Sequence, residues 1–153
     1  MEFSEVIRAR RSVRRFLPRE IPDDVLTELL DAGRLAPAIN NAPNFVFGVV
    51  RDGATKKELA KAAGGQEWVA DAPVVIAHCA RLGADLALMP EDEMTLKVNR
   101  VRFGADLISY LNAYPDRRAM RVLLENGTVM MAGEQVFLAA VNRGLRACWV
   151  GYL

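Results

Sequence analysis

A chain of 153 residues, 52% hydrophobic and 25% charged, has enough apolar side chain for one compact domain and too little for two of ordinary size. Twenty Lys and Arg against nineteen Asp and Glu leave a formal charge of +1, which argues against a surface built for nucleic acid, and no apolar run approaches the roughly 20 residues of a membrane span. One histidine and two cysteines, Cys79 and Cys148, without Cys-x-x-Cys spacing argue against a metal site; both cysteines sit in apolar runs and read as buried free thiols. The start, MEFSEV, has no basic segment leading into a hydrophobic one, so the expectation is a soluble, cytoplasmic protein.

The charge is unevenly placed. Arg8, Arg10, Arg11, Arg14 and Arg15 all fall within RARRSVRRF. Ser4 is positioned to cap a short helix reaching Arg10, with Val6, Ile7 and Phe3 as its apolar side. Beyond it the chain reads as extended, and period-two alternation sets Arg10, Ser12 and Arg14 on one face, with Arg11, Val13 and Arg15 on the other. Two guanidinium groups and a hydroxyl on one face suit a phosphate, because Arg forms bidentate, charge-assisted bonds to its oxygens. A solvated basic stretch is the plainer alternative.

IPDDVLTELLDAGRLAP predicts a helix whose first turn is set by Pro22, with Asp23 and Asp24 at its positive end, a buried stripe of Val25, Leu26, Leu29 and Leu30, and a stop at Pro37. AINNAPN reads as a loop, and FVFGVV as a strand. Thr55 and Glu58 have capping-box spacing for KKELAKAA, which Gly64 and Gly65 close. APVVIAHCA predicts a central strand covered on both faces, its His78 satisfied by one hydrogen bond. From Arg81 to Arg118 the pattern is mixed, an acidic PEDEM turn followed by helical spacing that carries Tyr110 and Tyr114, either of which could belong to a lid.

Asp116 to Asn142 forms one long amphipathic pattern, with Met130 and Met131 as core filler and Gly144 at its C-terminal cap. Gly127 and Gly133 inside it suggest close approach by a partner helix or a flat ligand, or simple tolerance at about 1 kcal/mol each. RACWVGYL reads as a last strand.

Three segments, RRSVRRF, APAINNAPNFVFGVV and LAAVNRGLRACWVGY, resemble in order and spacing the nitroreductase family of flavin enzymes. The resemblance implies an α+β fold, with a central, mostly antiparallel sheet flanked by helices, and residues 1–153 as a single FMN-binding domain without the family's usual C-terminal strand. The long helix would lie at a homodimer interface with FMN beside it. The family's Arg-x-Ser-x-Arg/Lys motif assigns the FMN phosphate to Arg10, Ser12 and Arg14, with Arg11 in support. The second motif matches at Ala36, Pro37, Asn41 and Phe47, has Ala38 for a serine, and has Pro43 and Asn44 where Gln-Pro is usual; it assigns Pro37, Ala38, Ile39 and Asn41 to the ribityl chain and ring.

The third motif puts the backbone of Val150 and Gly151 beside the flavin edge that exchanges hydride, and Gln66 is a further candidate. The implied reaction passes electrons from NAD(P)H through FMN to a small-molecule acceptor of nitroaromatic or quinone type. Hydride transfer itself requires no side-chain acid or base, so no catalytic residue is assigned. Two rival readings are a flavin- or phospholigand-binding sensor or carrier without turnover and, at a greater distance, an anion- or nucleic-acid-binding module.

Overall fold

Helix α1 (Phe3–Ala9) starts at Glu2, where a reciprocal capping box with Glu5 satisfies two orphan amides. Ser4, expected at the cap, lies inside the helix, because Glu2 already supplies the acceptor two residues earlier. The computed structural model describes residues 1–38, 45–80, 101, 104 and 117–151, with backbone alone over 117–125. The expectations for Ile39, Asn41, the acidic turn, Tyr110 and Tyr114 fall outside the described residues, as do the last two residues of RACWVGYL.

Helix α2 (Asp23–Arg34) follows the predicted span, except that Pro22 is its extended N-cap and not its first helical residue. Its buried stripe is Leu26, Leu29 and Gly33, while Val25 and Leu30 are half-buried. Strand β1 (Phe45–Val50) coincides with FVFGVV. Helix α3 (Gly53–Ala62) begins at Asp52, whose carboxylate accepts from the Thr55 amide and hydroxyl, both at 2.6 Å. Thr55 is therefore a donor within the first turn and not the cap, a distinction that capping-box spacing alone cannot make.

Gly64 and Gly65 turn the chain out of α3 with φ of 75° and 78°. The short helix α4 (Trp68–Asp71) follows, and Lys56 Nζ ties it to α3 by donating to Ala72 O at 2.6 Å.

The hydrogen bonds to Thr55 hold the Asp52 carboxyl below its usual value. Its contribution is therefore complete above the ordinary carboxylate pKa and fades as pH falls through the folded-state value. Asp52→Ala should lower the melting temperature by about 2–4 °C at pH 7. The same comparison by thermal melting at about pH 2.5 should show a smaller difference.

Strand β2 (Val75–Ala80) pairs antiparallel with β1, from Phe45 opposite Ala80 to Val50 opposite Val75. It is half-buried along most of its length, with Cys79 exposed, and among the described residues its second edge has no strand partner. The expected full cover on both faces is not seen. Cys79 corrects the reading of buried thiols, while Cys148 is half-buried; both are free. RACWVGYL, expected as a strand, makes one parallel bridge, Ser12 to Ala147.

Helix α5 (Arg117–Asn142) is the element on which α1, α2 and β2 pack. Val136 and Ala140 meet Leu29 of α2 with Phe47 and Ile76 of the sheet alongside, and Phe137 and Val141 bury Val6 of α1. Burial of a side chain such as Leu29 contributes about 1.5–3 kcal/mol. Arg143 Nε donates to both carboxylate oxygens of Glu28 at 2.9 and 2.8 Å, pinning the end of α5 to α2, and Gly144 closes the helix with φ of 76°. Met130 and Met131 are 57% and 41% exposed in the single chain, so they do not fill its core. No helix among the described residues is long and apolar enough to cross a membrane.

Candidate functional site

The arginine segment leaves α1 at Arg10, which has extended backbone (φ −60°, ψ 127°). It runs beside the chain after α5: Ser12 bridges Ala147, and the Val13 amide donates to Ala147 O at 3.0 Å. The first and third motif segments, 135 residues apart in sequence, are thus neighbours. The guanidinium of Arg10 lies over the Phe137 ring at 5.6 Å, and that of Arg14 over Trp68 at the same distance. These contacts orient the groups without neutralising them. Arg11 turns back to donate to the carbonyls of Arg8 and Arg10, each at 2.7 Å.

Arg34, Arg51 and Arg143 all have carboxylate partners. Among the described residues no ion pair engages Arg8, Arg10, Arg11, Arg14 or Arg15. Arg11, Ser12 and Arg14 are exposed and Arg10 half-buried. The fold therefore leaves a dense positive charge facing solvent with no counter-ion among the described residues.

Of the second predicted segment, Pro37 is exposed and Ala38 half-buried just beyond α2. Val150 is half-buried and Gly151 exposed, the latter packed near the Trp149 ring. The Gln66 amide donates to Ala63 O at 2.8 Å, so this group already has a structural partner in the turn after α3.

The predicted alternation shows itself through a cavity of about 480 Å³ between β2 and the chain after α5. Val13 and Arg15 line it, whereas Arg10, Ser12 and Arg14 do not. His78 also lines it, edge-on to Phe47 at 5.1 Å and stacked on Trp149 at 5.9 Å. Its Nδ1 is buried without a hydrogen-bond partner among the described residues. Trp149 reaches this position because Gly133 has no Cβ; one built there would collide with the indole. The close approach expected at Gly133 thus comes from the chain itself, while a Cβ at Gly127 would meet open space. Sequence reasoning missed the His78–Trp149–Gly133 group; its signals were a lone histidine on an apolar strand and a mid-helix glycine.

Burial pushes the His78 pKa down, since desolvation disfavours imidazolium. The unfolded chain therefore takes up the proton first, and stability declines as pH falls below about 6.5. With one histidine in the chain, an NMR titration of the imidazole should give a single curve with its midpoint below about 6.5.

Residues 7–153 match the profile of the Nitroreductase family. The chain is 43% identical to a Thermus thermophilus protein named NADH dehydrogenase over 82 residues, 54% of this chain and 40% of that one. It is 31% identical to the FMN reductase [NAD(P)H] of Bacillus subtilis over 80 residues, 50% of this chain and 32% of the relative. Among solved structures, it is similar to the NADPH:FMN oxidoreductase from Vibrio harveyi complexed with NAD+, with TM-score 0.70 and 21% identity over 99% of this chain and 56% of the other. A nitroreductase family protein from Clostridium novyi has TM-score 0.69 at 23% identity, covering 100% and 71%.

The matches span less than half the length of these two curated relatives and a little over half of the Vibrio structure. The structural likenesses establish the expected α+β architecture. With a profile match running from Ile7 onward and motif segments that the fold brings side by side, the chain belongs to the nitroreductase family.

Proposed function

We propose that residues 1–153 are a single FMN-binding domain of a cytoplasmic, homodimeric oxidoreductase that carries electrons from NAD(P)H to an electron-poor small molecule, of nitroaromatic or quinone type. The observation that carries this reading is the arginine segment, which is rich in donors, without carboxylate partners among the described residues, and seated on Ala147 in a chain of this family. The names of the Thermus and Bacillus relatives support the donor and the cofactor.

The residues present fit the phosphate of FMN. Arg10 and Arg14 offer forked donors held on aromatic rings, Ser12 offers a hydroxyl, and Arg11 adds positive charge nearby. Val150 and Gly151 would present backbone amides to the ring, where a donor stabilises negative charge. Pro37, Ala38, Ile39 and Asn41 would line the ribityl chain and ring from the partner subunit. When bound, FMN supplies the exchange of two electrons between nicotinamide and acceptor. The exposed Met130 and Met131 on α5 support pairing of two chains along that helix, because a second copy would withdraw apolar surface from water.

The test is the visible spectrum of the protein as purified and again after adding FMN and removing the excess by gel filtration, followed by NAD(P)H consumption with and without a nitroaromatic acceptor. Retained oxidised-flavin absorbance with acceptor-dependent NAD(P)H oxidation is expected. A colourless protein that refuses FMN would overturn the cofactor assignment. A yellow protein without turnover would leave a flavin carrier in place of the enzyme.

A further inference from the structure

Five arginines crowd into residues 8–15, and the fold does not treat them alike. Arg10 and Arg14 are the two whose guanidinium carbons stand over aromatic rings, Phe137 and Trp68 respectively, each at 5.6 Å and so within the roughly 6 Å reach of a cation–π contact. They are also the two that alternation and the family motif assign to the phosphate. Arg11, on the opposite face of the segment, instead spends Nη1 on the carbonyls of Arg8 and Arg10. A ring is the better support for a ligand-binding arginine, because it draws on the positive charge and leaves the forked N–H groups to the ligand.

Both rings belong to elements that are themselves fixed. Phe137 is 6% exposed and packs with Val6 of α1 and with Val141. Trp68 opens α4 beside the buried Val69, and the Lys56 bond to Ala72 O ties that helix to α3. Phe16, two positions beyond Arg14 and therefore on the same face of the extended segment, lies 6.5 Å from the Trp68 ring and seats the segment there a second time. Capturing a free arginine costs a ligand the rotamer entropy of that side chain. A guanidinium already resting on a rigid ring has given up that freedom before the ligand arrives.

We propose, building on the FMN assignment above, that Phe137 and Trp68 are positioning residues of the phosphate site. They hold Arg10 and Arg14 ready for the FMN phosphate, and so strengthen the preference for FMN over riboflavin, which has the same ring system and no phosphate. Neither ring needs to touch the flavin to do so.

The experiment is a titration of the full chain with FMN and with riboflavin, followed by quenching of flavin fluorescence, in the parent and in Trp68→Leu, Trp68→Phe and Phe137→Leu. Leucine keeps an apolar side chain without a π-face, and phenylalanine at position 68 keeps the π-face. The parent should bind FMN more tightly than riboflavin. Each leucine variant should lose about three- to tenfold in FMN affinity while riboflavin changes by less than about twofold, and Trp68→Phe should recover most of the loss. In an Arg14→Gln background, Trp68→Leu should cost FMN nothing further, because the ring acts through that guanidinium. Thermal melting checks that each variant is folded, and Phe137→Met, with its adaptable side chain, replaces Phe137→Leu if the latter melts below the assay temperature.

Undiminished FMN affinity in a folded leucine variant would overturn the assignment of that ring. An equal loss for riboflavin would overturn it as well, by placing the ring against the flavin or in the general scaffold, and so would a full loss from Trp68→Leu in the Arg14→Gln background. A parent that binds FMN no better than riboflavin would overturn the phosphate site of the proposed function along with its aromatic supports. A parent that prefers FMN, but by no more than its leucine variants do, would overturn the positioning role alone.

Discussion

Arg14→Glu should strip the protein of bound FMN while leaving it folded. The substitution removes a forked donor and places a like charge against the phosphate, a change of two charge units at one contact. An affinity loss of about a hundredfold or more is expected, since a single hydrogen bond to a charged group contributes roughly 1.5–3 kcal/mol before any repulsion. Arg14→Lys keeps the charge but not the fork and should fall between, and Ser12→Ala, which loses one neutral donor, should cost less than either. The measurement is FMN retention by absorbance after gel filtration, with far-UV circular dichroism and thermal melting as controls, because Arg14 also covers Trp68. Unchanged retention in Arg14→Glu would remove this residue from the phosphate site.

The largest effect on stability is expected at Gly33, where α2 lies against α5. A Cβ at this position would be 2.7 Å from Phe47 Cζ and from Val136 Cγ2, and 3.2 Å from the backbone oxygen of Ala132. Side chains can turn away, but the carbonyl moves only with its helix. Gly33→Val should therefore force the two helices apart and cost about 2–3 kcal/mol, seen as a lower urea midpoint and a melting temperature down by about 5–10 °C. Gly33→Ala should cost less, because one methyl intrudes less and alanine returns roughly 1 kcal/mol of helix propensity. A valine variant as stable as the parent would mean that the α2–α5 approach is looser than described.

Both positions illustrate what the sequence discloses. The acidic start and leucine stripe of α2, the aromatic and β-branched run of β1 and the glycines that close α3 and α5 are local signals, and the structure follows them. The even-numbered face of the arginine segment was legible for the same reason, since alternation requires only an extended backbone. Thr55 was misread because Thr55–Glu58 satisfies the same spacing rule as the true cap at Asp52. Met130 and Met131 were misread because helical periodicity marks an apolar position without saying what covers it.

The cavity had no sequence signature of its own, and the lone histidine and the mid-helix glycine did not name Trp149 as their shared neighbour. Its walls come from segments around residues 13–21, 59–79 and 133–150, and only the tertiary fold brings these together. Family motifs identified the candidate phosphate donors, but they say nothing of the group on the other side of the same strand.

The bridge between Ser12 and Ala147 also bears on how the protein is made. Residues 135 positions apart must meet before the arginine segment has a place to lie, and Val6 likewise waits for Phe137 and Val141. Contacts of such high sequence separation carry a loop-closure cost that local helices do not, and they slow folding accordingly. On the ribosome, α1 and the arginines emerge before the chain around residue 147 and stay unseated until it has cleared the exit tunnel. A chain stalled short of that point presents the five arginines from Arg8 to Arg15 without the Ala147 backbone beside which their segment lies.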